Sequence, residues 1–180
     1  MAYFTCDTST IVSRKLSDLP DNFLFSSVML MELMAYATDE TQRKVFERLF
    51  HDYEKDNSLI VPDADDWLVA SRVLYWLEQG RRRSAKGRAP RLRPGARQRM
   101  ALDVLIAVSA KSYDATVVTE NWDDFKAIQH YYKFKLAKAL ISSGECASTE
   151  QHRSRPFSLS QCLARPSPAD FFFGVQNNER

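Results

Sequence analysis

Short apolar runs alternate along the chain with longer segments whose apolar residues recur at helical spacing. The short runs predict strands at Tyr3–Cys6, at residues 59–61 and at Ala115–Thr119, with a last edge strand at 132–136. The periodic segments predict helices at residues 11–16, 27–37, 41–53, 65–77 (capped by Asp65 or Asp66) and 97–112, and one from Asp123 onward. Strands that alternate with helices in this way predict an α/β fold with a mostly parallel sheet.

The composition changes after residue 141. Residues 1–141 contain every predicted strand and helix, so we assign them to one domain, which is an ordinary length for a single core. Residues 142–180 are rich in small polar residues and proline. They predict an extension that is weakly ordered or that docks on the domain, where the three consecutive phenylalanines at 171–173 would be the anchor.

A basic segment lies within the domain. It contains nine Lys or Arg residues and no acid: Arg81, Arg82, Arg83, Lys86, Arg88, Arg91, Arg93, Arg97 and Arg99. The other 16 basic residues face 23 acidic ones, so the rest of the chain has a net charge of −7 although the whole chain has +2. A segment of this kind attracts a polyanion, so we expect it to bind RNA. The alternative interpretation is a solvated loop with no binding role. Its glycines and prolines predict that it breaks the helical pattern.

Several functional classes are disfavoured by residues that the sequence lacks. The three cysteines and three histidines are widely spaced, which argues against a zinc site or a Cys–His nucleophile. The five glycines form no phosphate-binding loop. No apolar run reaches the ~18 residues of a membrane span, and no signal peptide is visible, so we expect a cytoplasmic protein without membrane association.

Two carboxylates fall among apolar residues of predicted helices. Glu32 has Val, Met, Ala and Tyr at the positions three and four residues away, and Asp103 has Met, Ile and Ala together with Arg99. A carboxylate on such a face needs a partner, because an unpaired charge costs several kcal/mol to desolvate. An ion pair with Arg99 is one solution for Asp103, and a shared divalent cation is the other.

Further polar side chains follow two of the predicted strands. Asp7 comes directly after the first strand, and the segment from Asn121 to Asp124 follows the strand that ends at Thr119. These are also ordinary turn and cap residues. However, the carboxyl ends of parallel strands are where ligands collect in open α/β sheets. Oxygen ligands without His or Cys favour Mg²⁺ or Mn²⁺, so we favour a shared cation for the whole set.

Four motifs in this order resemble the PIN-domain nucleases, and among them most the toxins of VapBC toxin–antitoxin modules. They are Asp-Thr-Ser at 7–9, Met-Glu-Leu at 31–33, Leu-Asp-Val-Leu-Ile-Ala at 102–107 and Val-Thr-Glu-Asn-Trp-Asp-Asp-Phe at 118–125. The match spans about residues 3–136. The resemblance implies a three-layer α/β/α sandwich and a divalent-metal-dependent endoribonuclease that hydrolyses phosphodiester bonds of RNA, with Mg²⁺ or Mn²⁺ as cofactor.

The resemblance also implies roles for individual residues. Asp7, Glu32 and Asp103 match the most characteristic acids of the family, and Thr119 matches a residue that supports the site. The fourth acidic position stays open between Asn121 and Asp124, with Asp123 a weaker candidate. We expect Asp7, Asp103, Asn121 and Asp124 to ligate metal, and Asp7, Glu32, Asp103 and Asp124 to act in catalysis.

Partners follow from the same resemblance. They are an RNA substrate, a small antitoxin protein and a second copy of the chain in a homodimer. The alternative function is a non-catalytic PIN-like protein that binds RNA or another protein through the basic segment. A receiver-like domain phosphorylated on Asp7 is disfavoured, because no second acid follows two residues later. The long basic segment and the extension after 141 depart from the family and leave the RNA target open.

Overall fold

The computed structural model describes residues 2–13, 19–84 and 95–139, and strands and helices alternate through these ranges. In chain order the elements are β1 (Tyr3–Cys6), α1 (Thr8–Val12), β2 (Phe25–Ser26), α2 (Ser27–Ala35), α3 (Glu40–Lys55), β3 (Leu59–Ile60), α4 (Ala64–Ser84), α5 (Ala96–Ser112), β4 (Ala115–Thr119), α6 (Trp122–Tyr131) and β5 (Lys135–Lys138).

Every strand pairing in the described residues is parallel. β1 pairs with β4, which pairs with β5 on its other side. β2 pairs with β3, and a parallel bridge between Phe4 and Phe23 joins that pair to β1. The strands therefore run in the order β3-β2-β1-β4-β5, and their carboxyl ends share one edge. The predicted α/β fold with a mostly parallel sheet is confirmed.

The two faces of the sheet are covered by different apolar clusters. In β4, Val117 belongs to the cluster that α4, α5 and α6 build on one face, and Val118 packs against the cluster from α1, α2 and α3 on the other. Side chains point alternately to the two faces of a strand, which is why neighbouring valines serve different clusters. Helices on both faces make the three-layer α/β/α arrangement that the sequence motifs implied.

Three boundaries differ from the sequence prediction. The first helix begins at Thr8 rather than at residue 11, because Asp7 caps it through the backbone N–H of Thr10. The two-residue strand β2 was not predicted, since Phe25 and Ser26 are too few to show any alternation. The last strand lies at Lys135–Lys138 instead of 132–136.

The predicted cap of α4 was also wrong. Asp63, not Asp65 or Asp66, precedes the helix, and its Oδ1 accepts the backbone N–H of Asp66 at 2.8 Å. Asp66 returns the interaction by accepting the N–H of Asp63 at 3.2 Å, as in a capping box. The other oxygen of Asp66 accepts the hydroxyl of Ser112 at 2.8 Å, which ties the start of α4 to the end of α5.

Both described ends of the basic segment are helical. α4 continues to Ser84, beyond its predicted end at residue 77, and α5 begins at Ala96, next to its predicted start at 97. The predicted break between the two helices lies outside the described residues except for Gly95, which precedes α5. Arg81 and Arg82 pair with Glu78 one turn earlier on α4, and cations in a last turn also interact favourably with the helix dipole. Lys86, Arg88, Arg91 and Arg93 lie outside the described residues, as does the extension assigned to 142–180.

Within the described ranges, the structure contains no helix that combines the length and the apolar character needed to cross a membrane.

Candidate functional site

Asp7 lies where β1 ends, and it is nearly fully buried at 3% exposure. Its Oδ1 accepts the backbone N–H of Thr10 at 3.3 Å, and its Oδ2 accepts the hydroxyl of Ser9 at 2.6 Å. These local donors satisfy a carboxylate that would otherwise be buried at high cost. They also fix Asp7 at the carboxyl edge of the sheet.

Glu32 lies in α2 and faces the loop after β1. The hydroxyl of Thr8 donates a hydrogen bond of 2.5 Å to its Oε2. Burial raises the pKa of Glu32, the bond from Thr8 opposes that rise, and the charge of Asp7 adds to it. Glu32 and Asp7 are therefore close enough for their charges to repel.

Asp103 is the electrostatic centre of the group. Burial in α5 raises its pKa most, and the charges of Asp7, Glu32 and Asp124 raise it further, to about 8. Three carboxylates that are far apart in the sequence therefore lie close enough to Asp103 for their charges to raise its pKa. Perturbed acids of this kind concentrate at functional sites.

Arg99 is too weak a partner to neutralise this group. Its charge lowers the pKa of both Asp103 and Glu32, but it is the smallest of the effects on each. The pKa of Asp103 stays far above its ordinary value of 3.8 in spite of it. The sequence also allowed a simple ion pair between Arg99 and Asp103. That pair does not account for the grouping of Asp7, Glu32, Asp103 and Asp124, which we call the acid cluster.

The segment after β4 contains the three candidates for the fourth acidic position: Asn121, Asp123 and Asp124. Among them, the charge of Asp124 raises the pKa of Asp103. Asn121 occupies the N-cap position of α6, and its side-chain amide donates to Oδ2 of Asp124 at 2.9 Å. Thr119, fully buried, accepts the backbone N–H of Asn121 at 2.9 Å and so shapes the turn.

Two hydroxyl side chains that were not among the predicted site residues, Thr10 and Ser13, join α1 to this edge. Thr10 accepts the backbone N–H of Glu120 at 3.0 Å, and Ser13 donates to the Glu120 carboxylate at 2.9 Å. Both bonds join α1 to the end of β4. The run Thr-Ser-Thr after Asp7 was the available signal, because short hydroxyl side chains commonly bond nearby backbone groups.

The oxygen atoms of these acids are the kind of ligand that a hard divalent cation prefers, but the side chains do not converge on one point. Within the described ranges, no three Asp, Glu, His or Cys side chains converge closely enough to hold one metal ion. Asp7, Glu32 and Asp124 each accept a hydrogen bond from a neighbouring residue instead. An all-oxygen set of this kind has the donor chemistry that Mg²⁺ or Mn²⁺ prefers.

Glu78 of α4 pairs with three of the described arginines of the basic segment. Glu78 pairs with Arg81 at 2.9 Å, with Arg82 at 3.2 Å and with Arg97, on α5, at 3.3 Å. Hydrogen bonds from Arg81, followed by those from Arg82, hold the pKa of Glu78 at about 2. Of these three residues predicted to bind RNA, Arg97 joins α5 to α4, while Arg81 and Arg82 pair with Glu78 within α4.

Comparison with known proteins finds similar solved structures. The DNA-bound VapBC structure from Salmonella typhimurium matches with 19% identity and a TM-score of 0.46 over 77% of this chain and 98% of that chain. FitAB bound to an IR36 DNA fragment matches with 14% identity and a TM-score of 0.47 over 78% and 99%. VapBC-1 from nontypeable Haemophilus influenzae matches with 19% identity and a TM-score of 0.44 over 77% and 98%.

Two of these structures are of VapBC proteins. No family model matches the chain, and no curated protein matches it. Because the identities and TM-scores to the solved structures are low, we base the functional proposal on the chain's own residues.

Proposed function

We propose that this chain is a divalent-metal-dependent endoribonuclease that hydrolyses phosphodiester bonds of RNA. One observation carries the proposal: Asp103, partly buried in α5, has its pKa raised to about 8 by desolvation and by the charges of Asp7, Glu32 and Asp124. A protein gains nothing in stability from gathering like charges around a buried carboxyl. A cation bound there offsets the repulsion and explains the arrangement.

The acids and their neighbours have different roles in this proposal. Asp7, Asp103 and Asp124 hold the cation, with Asn121 completing the ligand set. Bound Mg²⁺ or Mn²⁺ supplies the Lewis acidity that phosphodiester hydrolysis requires. Glu32, held by Thr8, orients the attacking water, and Thr119 positions Asn121 through the bond to its backbone N–H.

The basic segment from Arg81 to Arg99 brings RNA to this acidic edge. Its nine cations offset the −7 charge of the remaining chain, which would otherwise repel a polyanion. Among the described members of the segment, Arg99 acts on the acids directly, since its charge lowers the pKa of both Glu32 and Asp103.

The test is cleavage of a mixed RNA pool by the purified chain with Mg²⁺, Mn²⁺ or EDTA. We expect metal-dependent cleavage that falls at least about 100-fold in Asp7→Asn and Asp103→Asn. Asp124→Asn and Asp123→Asn form a matched pair on the same turn of α6. The first should lose activity and the second should keep it, because the charge of Asp124 acts on Asp103.

Two results would count against this function. Cleavage that survives EDTA and both asparagine variants would point to a contaminating nuclease. RNA binding that is salt-sensitive but never followed by cleavage would favour the alternative, a non-catalytic RNA-binding protein.

The wider role that we propose is the toxin of a type II toxin–antitoxin pair, with a small antitoxin protein and a homodimer as its assemblies. The sequence motifs support it, and VapBC and FitAB are the proteins in the similar structures. Induced expression of the wild type should arrest growth, and expression of Asp7→Asn should not. Equal growth of the two strains at equal protein levels would contradict the toxin role without touching the nuclease.

A further inference from the structure

A small pocket opens between the C-terminal end of α2 and the first turns of α5. Three apolar residues, Met31, Ala35 and Leu102, form part of its wall together with the ring of Tyr36, and Gln98 and Arg99 add polar groups. We call it the α2–α5 pocket. Glu32 also lines it, so the pocket adjoins the acid cluster.

The surface of the pocket is suited to a flat ring with polar edges. Met31 and Tyr36 leave 48% and 49% of their surface exposed, which is a high fraction for large apolar side chains beside a charged site. Proteins that bind single-stranded RNA stack bases on exposed aromatic rings and read base edges with amide and guanidinium groups. Tyr36 offers the ring, and Gln98 and Arg99 offer the donors.

Backbone groups add to the polar part of the pocket wall. Gly95 precedes α5 in the left-handed conformation, with φ of 77°, and the helix has no side-chain cap. The first turn of this 17-residue helix therefore presents backbone N–H groups beside Arg99. These groups are donors and Glu32 supplies an acceptor, so the pocket can bind the polar edge of a neutral ring.

We propose that the α2–α5 pocket binds one nucleobase of the RNA, in a nucleotide next to the phosphodiester that is cleaved. Tyr36 stacks on the base, while Gln98 and Arg99 contact its polar edge or its phosphate. This inference rests on the proposed ribonuclease function and adds a specificity subsite to it. The pocket shares Glu32 with the acid cluster, so a strand whose phosphate lies at the cluster places a neighbouring base here.

The first measurement is the distribution of cleavage sites in a randomised RNA pool. Tyr36→Ala should flatten the base preference at one position beside the cut and raise KM roughly 10-fold, because the loss of one stacked base weakens binding by about that factor. Tyr36→Phe keeps the ring and should behave like the wild type. Tyr75→Ala removes a comparably exposed tyrosine from α4 and should change neither quantity.

The second measurement is equilibrium binding of the Asp7→Asn variant to a set of oligonucleotides in which an abasic residue is placed at each position in turn. One abasic oligonucleotide should bind about 10-fold more weakly than its parent, and adding Tyr36→Ala should produce no further loss for it. Gln98→Ala should change which base is preferred while total binding falls little.

The two proposals fail in different ways. An inactive wild type overturns the ribonuclease, and binding by Asp7→Asn then still decides whether the pocket holds a base. A cleavage profile and KM that are unchanged in a folded Tyr36→Ala variant overturn the pocket even when the wild type cleaves RNA. Equal losses for the abasic oligonucleotide with and without Tyr36 would do the same.

Discussion

The hydroxyl of Thr8 donates a 2.5 Å hydrogen bond to Oε2 of Glu32, across 24 positions in the sequence. Thr8 directly follows Asp7, so this bond fixes α2 against the edge of β1 where the first acid lies. It also opposes the rise that burial causes in the pKa of Glu32. One hydroxyl therefore sets both the position and the ionisation of a proposed catalytic group.

Replacing Thr8 with valine should weaken catalysis by making Glu32 harder to ionise. Without the hydroxyl the pKa of Glu32 rises further, so the acidic limb of the pH–rate profile should move to higher pH. Thr8→Ser keeps the hydroxyl and should keep the wild-type profile. An acidic limb that stays in place in the valine variant would show that Glu32 does not control it.

The stability of the metal-free protein should fall as the pH rises through neutrality. The pKa of Asp103 is about 8 in the folded chain and near 3.8 when unfolded, so the folded state binds its proton more tightly. This contribution is fully present below about pH 4 and is lost as the pH rises toward 8. In EDTA at pH 8, Asp103→Asn should therefore be more stable than the wild type by at least about 1 kcal/mol.

Saturating Mg²⁺ should reverse that order. A cation that binds only the folded state at 100 times its Kd adds about 2.7 kcal/mol to wild-type stability, and the asparagine variant should gain much less. Urea denaturation at pH 5 and pH 8, with Mg²⁺ or EDTA, measures all four conditions. Identical pH dependence of the two proteins in EDTA would contradict the coupling of the acids.

Asp66→Ala should destabilise the fold by about 1–3 kcal/mol. Asp66 is buried at 5% exposure, accepts the N–H of Asp63 and accepts the hydroxyl of Ser112. Asp65→Ala is the matched control, since Asp65 is exposed in the same first turn. Denaturation midpoints for the two variants should differ clearly, and equal midpoints would mean that the link to α5 contributes little.

Glu78→Gln should lower the melting temperature at low salt and strengthen non-specific RNA binding. Three arginines lose their shared carboxylate, and the chain gains one unit of positive charge. The loss of stability should disappear near 1 M salt, where screening removes the pairs. Glu47→Gln changes the charge equally but touches only Arg43, so it should leave RNA binding nearly unchanged.

The sequence indicated candidate site residues where a charged side chain falls among apolar ones. Glu32 and Asp103 were visible because a carboxylate among apolar helical neighbours violates the usual pattern, and the structure places both in the cluster. Asp7 was visible from its place after a strand. The fold class followed from the alternation of strands and helices, which depends on many residues and tolerates errors at single boundaries.

Other features depend on contacts that no local pattern records. Asp123 and Asp124 are adjacent and chemically identical, so the sequence alone did not show that the charge of Asp124 acts on Asp103. The strand β2 exists because Phe25 pairs with Leu59 of β3, far along the chain. The last turn of α4 contains Arg81 and Arg82, which pair with Glu78, an acid that lies just outside the basic segment.

Glu78 has a consequence for how this protein could diversify. It holds arginines of α4 and α5 together, so the two ends of the connection between these helices are anchored close to each other by side chains that belong to the folded domain. Lengthening a connection between fixed ends costs only about 0.6 kcal/mol for each doubling. Insertions at 85–94 would therefore cost the folded domain little, so related sequences could differ in length there while the sheet and the acids keep their places.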